Sequence, residues 1–149
     1  MPTARVSRTL PASSAAVWRV AADPYTMPRW WPRVERMEDV TPRKFTQVLR
    51  TPRGRAVRAD FRVTEQDQGR RRVWRQELVG SPFERILASS VTELRVKPSG
   101  DGESDVTLEM RQRLRGMSRF GGFMARRAGR KTLREALDGL ERAVVEEIA

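Results

Sequence analysis

Between Val34 and Leu114 the apolar residues of this chain return at every second position, and from about Arg119 to Glu147 they return at every third or fourth. The first period belongs to strands with one covered face, the second to a helix with one apolar stripe. Turn chemistry interrupts the first region at Thr41-Pro42, Pro52-Arg53-Gly54, Asp67-Gln68-Gly69, Gly80-Ser81-Pro82 and Pro98-Ser99-Gly100-Asp101-Gly102. Strands separated in this way pair as antiparallel hairpins. The pattern therefore predicts about six antiparallel strands and then one long amphipathic helix. Leu133, Leu137, Leu140, Val144 and Ile148 form the stripe of that helix, with Phe120, Phe123 and Met124 at its start.

Upstream of the hairpins, Arg5 to Leu10 reads as a first strand. Pro11, Ser13 and Ser14 then supply a turn and a helix cap before the spacing Ala16, Val17, Val20, Ala21. Asp23-Pro24 ends that helix. Pro28 and Pro32 confine Trp30 and Trp31 to a short helical turn or loop, because proline breaks a regular helix from within. A chain of 149 residues with 38% hydrophobic content matches one domain spanning residues 1–149.

Alternation also assigns the two faces of the sheet. Trp74, Gln76 and Leu78 share the covered face, as do Val57, Ala59, Phe61 and Val63, then Ile86, Ala88, Ser90, Thr92 and Leu94, and finally Val106, Leu108, Met110, Gln112 and Leu114. Arg58, Asp60, Arg62, Arg75, Glu77, Glu109, Arg111 and Arg113 are assigned to solvent. A sheet this long must curl, and the terminal helix, roughly 40 Å at 1.5 Å per residue, is long enough to cover its apolar face. The middle of a strongly curved sheet lies too far from one helix for side chains to fill the gap, which leaves space for a ligand.

Leu10-Pro11-Ala12 followed by Val17-Trp18, then Asp23, Trp30 and Pro32, the strand series and the closing helix resemble the START-like helix-grip superfamily, often labelled SRPBCC, in its polyketide cyclase/dehydrase form. The resemblance spans essentially the whole chain. It implies an α+β helix-grip fold: a curved antiparallel sheet of about seven strands around a long C-terminal helix, with two short helices after the first strand. It also implies an apolar cavity between helix and sheet, commonly occupied in the family by lipids, polyketides or other hydrophobic molecules. No catalytic residue carries over, because this chain has no histidine to match and fold alone is not chemistry.

The expected ligand-binding residues are Trp30, Trp31, Phe61, Trp74, Gln76, Phe83, Ser90, Met110, Gln112, Phe120, Phe123 and Met124. Of the paired tryptophans, one is expected to face inward and the other to cover the entrance, although both suit plain packing equally well. The inward polar residues Gln76, Ser90, Thr92 and Gln112 must find a neighbour, a water or a ligand, since an unpaired buried polar group costs on the order of 1 to 3 kcal/mol. Gln76 paired with Gln112 is the plain alternative to a ligand contact.

Composition narrows the chemistry. Without cysteine there is no disulfide or thiolate, and without histidine zinc sites and the familiar catalytic triads fall away, so neither metal nor cofactor is expected. Acid–base work would fall to Asp, Glu or Tyr25, and the one charged pair near a cavity mouth, Glu84 and Arg85, reads as an exposed salt bridge. No run approaches the roughly 18 to 20 apolar residues that cross a bilayer, and MPTARVSRTLPA lacks the apolar stretch of a secretion signal. A cytoplasmic protein is expected.

Thirty basic residues against 19 acidic give a net charge of +11, and lysine occurs only at Lys44, Lys97 and Lys131. Arginine's planar fork suits carboxylate and phosphate. Between Arg111 and Arg134 no acidic residue occurs, and Glu135, Asp138, Glu141, Glu146 and Glu147 crowd the helix C-terminal half, opposite to the preference of the helix dipole. Gly121-Gly122 reads as a flexible approach to the helix. The leading functional reading is binding of a small hydrophobic or amphipathic ligand, anionic ones included. A polyketide cyclase or dehydratase-like enzyme polarising its chain through Gln76, Gln112 or Tyr25 is the second. The third is a basic interaction surface for nucleic acid or acidic membrane, built on Arg126, Arg127, Arg130, Lys131 and Arg134.

Overall fold

A computed structural model of the protein describes residues 2–116 and 119–149, without the side chains of Arg119 and Phe120. The expected cavity residue Phe120 thus lies outside the described side chains. Strand β1 (Thr3–Leu10) leads into α1 (Ser14–Ala21), a 3-10 turn (Pro24–Thr26) and α2 (Met27–Trp30). Strands β2 (Val34–Glu38), β3 (Lys44–Arg50), β4 (Ala56–Asp67), β5 (Arg71–Glu77), β6 (Leu87–Pro98) and β7 (Ser104–Leu114) follow, and α3 (Arg119–Ile148) closes the chain. All seven strands form one antiparallel curved sheet in the order β1-β7-β6-β5-β4-β3-β2. This is the α+β helix-grip fold.

Local chemistry explains the boundaries. The Ser13 hydroxyl accepts the Ala16 N–H at 3.2 Å and caps α1. Pro28 falls in the first turn of α2, where its missing N–H costs nothing. Each stretch of turn residues seen in the sequence separates two strands, and the hairpin glycines Gly54 and Gly69 both adopt φ +82°, a left-handed backbone that side chains disfavour.

Three expectations are corrected. In β6 a register shift between Leu87 and Ser89 turns Leu87 into the core and leaves Ala88 exposed, and Ile86, just before the strand, is also exposed. From Ser90 onward the expected phase holds. Gly121 and Gly122 lie within α3 and are not an approach to it. Glu109, assigned to solvent, does point outward but is buried beneath Arg5 and Arg111, whose guanidinium groups pair with it.

Leu133, Leu137, Leu140 and Val144 bury the helix stripe almost completely, whereas Ile148, the last residue of α3, is exposed. Each such leucine contributes roughly 1.5 to 3 kcal/mol of burial. The acids of the C-terminal half have partners from elsewhere. Arg8 of β1 reaches Asp138 at 2.7 Å, and Arg29 of α2 reaches Glu146 at 3.5 Å and Glu147 at 3.2 Å. Those ion pairs give the acidic half of α3 a structural purpose.

On the outer face Glu93 is 2% exposed beneath Arg71, Arg95 and Arg111. Burial on its own would raise its pKa, but the hydrogen bonds from Arg71 and Arg95 outweigh burial and hold the carboxyl below its ordinary 4.5. A depressed folded pKa contributes stability that is complete above the unfolded value and disappears as pH falls through the folded value. Urea midpoints are therefore expected to fall below about pH 4.5, and to fall less steeply in Glu93→Gln. Parallel pH profiles for the two proteins would contradict this.

Candidate ligand-binding cavity

A cavity of about 710 Å³ lies between the concave face of the sheet and α3. Its sheet wall comes from Gln47 and Leu49 of β3, Ala59 and Phe61 of β4, Trp74 and Gln76 of β5, Ser90 and Thr92 of β6, and Met110 and Gln112 of β7. The helix contributes Ala128, Gly129, Lys131, Thr132 and Glu135. Trp31, Pro32, Arg33, Arg50, Thr51, Pro52, Val57, Pro82, Phe83 and Ile86 complete the lining. The space exists because the helix residues facing it are mostly small. Gly129 sits so close to β1 that a Cβ there would lie 3.0 Å from the Ala4 Cβ, which holds α3 toward that side of the sheet and away from β4 and β5.

The deep wall is aromatic. Trp31 meets Trp74 edge-on at 6.1 Å, Trp74 meets Phe45 at 6.4 Å, and Phe45 stacks on Phe61 at 5.3 Å. Such pairs add about 0.5 to 1.5 kcal/mol each beyond their burial, so this wall is stiff before anything binds. Polar groups interrupt it sparsely. Gln112 Nε2 donates to Ser90 Oγ at 3.5 Å, and Gln47 Nε2 approaches Met27 Sδ at 3.4 Å. The side-chain amide of Gln76 has no hydrogen-bond partner among the described residues, and the expected Gln76–Gln112 pair is absent there.

The structure brings Trp31, Phe61, Trp74, Gln76, Phe83, Ser90, Met110 and Gln112 together around one volume. Trp30 is not among them. It lies behind Trp31 at 5.5 Å, 3% exposed, with its indole N–H unpartnered and its backbone pressed against Gly139 of α3. The tandem tryptophans thus divide their work: Trp31 lines the cavity and Trp30 anchors α2, with neither standing free as a cover. Phe123 and Met124 are also outside the lining, exposed on the first turns of α3. Tyr25, 68% exposed, is not part of the lining. Glu84 does not pair with Arg85 among the described residues; its carboxylate accepts the Gly80 N–H at 3.1 Å and its carbonyl accepts Arg115 Nε at 2.8 Å.

Sequence reasoning missed Gln47, Arg33, Arg50 and the helix residues. Arg33 carries φ +66°, an uncommon backbone for arginine, and stands at the cavity rim with no ion pair among the described residues. Among the described residues Glu135 is the one carboxylate in the lining. A second groove of about 800 Å³ lies outside the grip, edged by Arg70, Arg71, Arg95 and Lys97 against Asp67 and Asp105; it has no aromatic wall.

Comparison with solved structures returns the same architecture. The protein XoxI from Bacillus cereus superposes with a TM-score of 0.80 at 16% identity, over 100% of this chain and 99% of that one. A START superfamily protein from Mycobacterium smegmatis gives 0.79 at 13% identity, over 99% of both chains. Zhui aromatase/cyclase from Streptomyces sp. R1128 gives 0.78 at 16% identity, over 99% of this chain and 95% of that one. At these identities the likeness is one of fold. No protein of curated function matches the sequence. The family model described as polyketide cyclase / dehydrase and lipid transport matches residues 1–145, and the chain belongs to that family.

Proposed function

We propose that the protein binds a small hydrophobic or amphipathic molecule in the cavity, apolar part against the Trp31–Trp74 wall and polar or anionic end toward Arg33 and Lys131. The observation that carries this reading is an aromatic-walled volume of about 710 Å³ in which the Gln76 amide has no partner among the described residues. Small-molecule sites have this form, with a mostly apolar lining of roughly 300 to 1,000 Å³ and a few converging polar groups. Native mass spectrometry of protein drawn from cell extract is expected to show a retained small molecule. The anionic dye 8-anilinonaphthalene-1-sulfonate is expected to compete with it, with an apolar part of its affinity that survives high salt. Empty protein from every extract together with no dye binding would overturn the reading.

A cyclase-like activity is the second reading, favoured by Glu135, Gln76 and Gln112 in one lining and by the likeness to an aromatase/cyclase. Its chemistry would rest on holding a reactive chain folded, with the amides polarising a carbonyl. Turnover of a poly-β-ketone chain separates it from simple binding.

A further inference from the structure

We propose that the open end of the grip is a docking face for an anionic lipid bilayer. In an antiparallel sheet alternate turns share an end, so the β3–β4 turn (residues 51–55), the β5–β6 turn (residues 78–86) and the chain leaving β7 lie together. The start of α3 is assigned to the same end, because Arg115, just after β7, donates to the Glu84 carbonyl and α3 begins four residues later at Arg119. The cavity lining reaches this end at Pro52, Pro82, Phe83 and Ile86.

Two independent features coincide there. The first is charge. Arg53, Arg55 and Arg85 on the turns, and Arg126, Arg127, Arg130 and Lys131 on α3, have no ion pair among the described residues, and the only acid on those two turns is Glu84. The turns at the other end balance their cations with Asp39, Asp67, Asp101 and Glu103. These turns and the first part of α3 thus present seven cations against one acid around the cavity mouth. The second is exposed apolar surface: Val79 at 92%, Ile86 at 60%, Phe123 at 51% and Met124 at 62%. Met124 stands four residues before Ala128, so it extends the cavity-facing stripe of α3 one turn past the mouth, where no sheet remains to cover it.

Apolar side chains ringed by unpaired cations match the boundary between headgroups and acyl chains, with anionic phosphates outside and hydrocarbon beneath. Nucleic acid would use the cations but leave Val79, Ile86 and Met124 in water. The inference concerns the surface and stands or falls separately from what the cavity holds.

Sedimentation with vesicles tests it. The full chain is expected to pellet with vesicles of equal parts phosphatidylcholine and phosphatidylglycerol, and to stay in solution with phosphatidylcholine alone. Arg126→Gln, Arg127→Gln and Arg130→Gln combined should weaken binding about a hundredfold, since each basic residue at an anionic surface is worth roughly fivefold. Phe123→Ser with Met124→Ser should weaken it further and remove whatever binding survives about 1 M salt, where the Debye length is about 3 Å. Arg43→Gln with Arg70→Gln, at the opposite end, should change little. All these positions are exposed, and unchanged thermal melting verifies that the variants fold. Equal binding to both vesicle types, an equal loss from the opposite-end pair, or duplex DNA bound as tightly as anionic vesicles with no effect of the serine pair would each overturn the proposal.

Discussion

Replacing Gly139 with alanine is expected to lower the stability of the protein by about 2 kcal/mol, although the same change at an exposed helix position stabilises. The reason is the contact between α2 and α3. A Cβ at residue 139 would lie 2.6 Å from the Trp30 carbonyl oxygen, 2.7 Å from its Cα and 3.0 Å from its carbonyl carbon, all of them backbone atoms that no rotamer change can move aside. Overpacking of this kind costs up to about 3 kcal/mol, and the better helix propensity of alanine returns about 1. For a chain of this size the remainder corresponds to a fall in Tm of about 4 to 8 °C. Gly129→Ala is the milder comparison: its Cβ would sit 3.0 Å from the Ala4 Cβ, a contact that a shift of a few tenths of an ångström between α3 and β1 relieves, so the gain in helix propensity of about 1 kcal/mol should offset most of the cost. If both variants melt like the parent, α2 is not seated on the helix as described. Withdrawal of α2 would also drag Trp31 from the cavity wall, so Gly139→Ala should weaken ligand retention as well.

The two glycines show what the sequence can and cannot reveal. Both stand within one helical pattern with nothing local to distinguish them, and only the approach of α2 makes one of them obligatory. The sheet was legible because turn residues mark every hairpin and alternation agrees with them along most of the strands. Where they failed, at Ile86 and Ala88, a bulge had inserted a residue that alternation has no means of detecting. The sheet wall was readable for the same reason, since strand phase brings Trp74, Gln76, Ser90, Met110 and Gln112 to one face. Gln47 escaped because β3 carries buried residues on both faces, Thr46 and Val48 outward and Phe45 and Gln47 inward, which erases the alternation. The helix side of the cavity was misread. Large apolar residues such as Phe123 and Met124 attract attention as pocket formers, yet a cavity persists where the helix is thin, and the informative signal was the spacing Ala128, Thr132 of small residues beside the leucine stripe.

That thinness supplies the most direct experiment on the site. Ser90→Trp from the sheet combined with Ala128→Leu from the helix would add bulk from opposing walls into space that no side chain occupies. An indole takes the room of about nine ligand atoms, each worth at least roughly 0.3 kcal/mol of affinity, so retention should fall about a hundredfold or more. Stability should hold or rise, because filled volume restores contacts at about 24 cal/mol per Å³. Trp74→Ala would also lose the ligand, but it removes a fully buried indole at a cost of about 3 to 5 kcal/mol, along with its edge contacts to Trp31 and Phe45, so binding and folding would fail together. The plugged variant separates them. A protein that melts at or above the parent temperature and emerges from extract empty assigns the ligand to the grip. One that melts normally and keeps its ligand assigns it elsewhere, and the outer groove edged by Arg71 and Arg95 becomes the place to look.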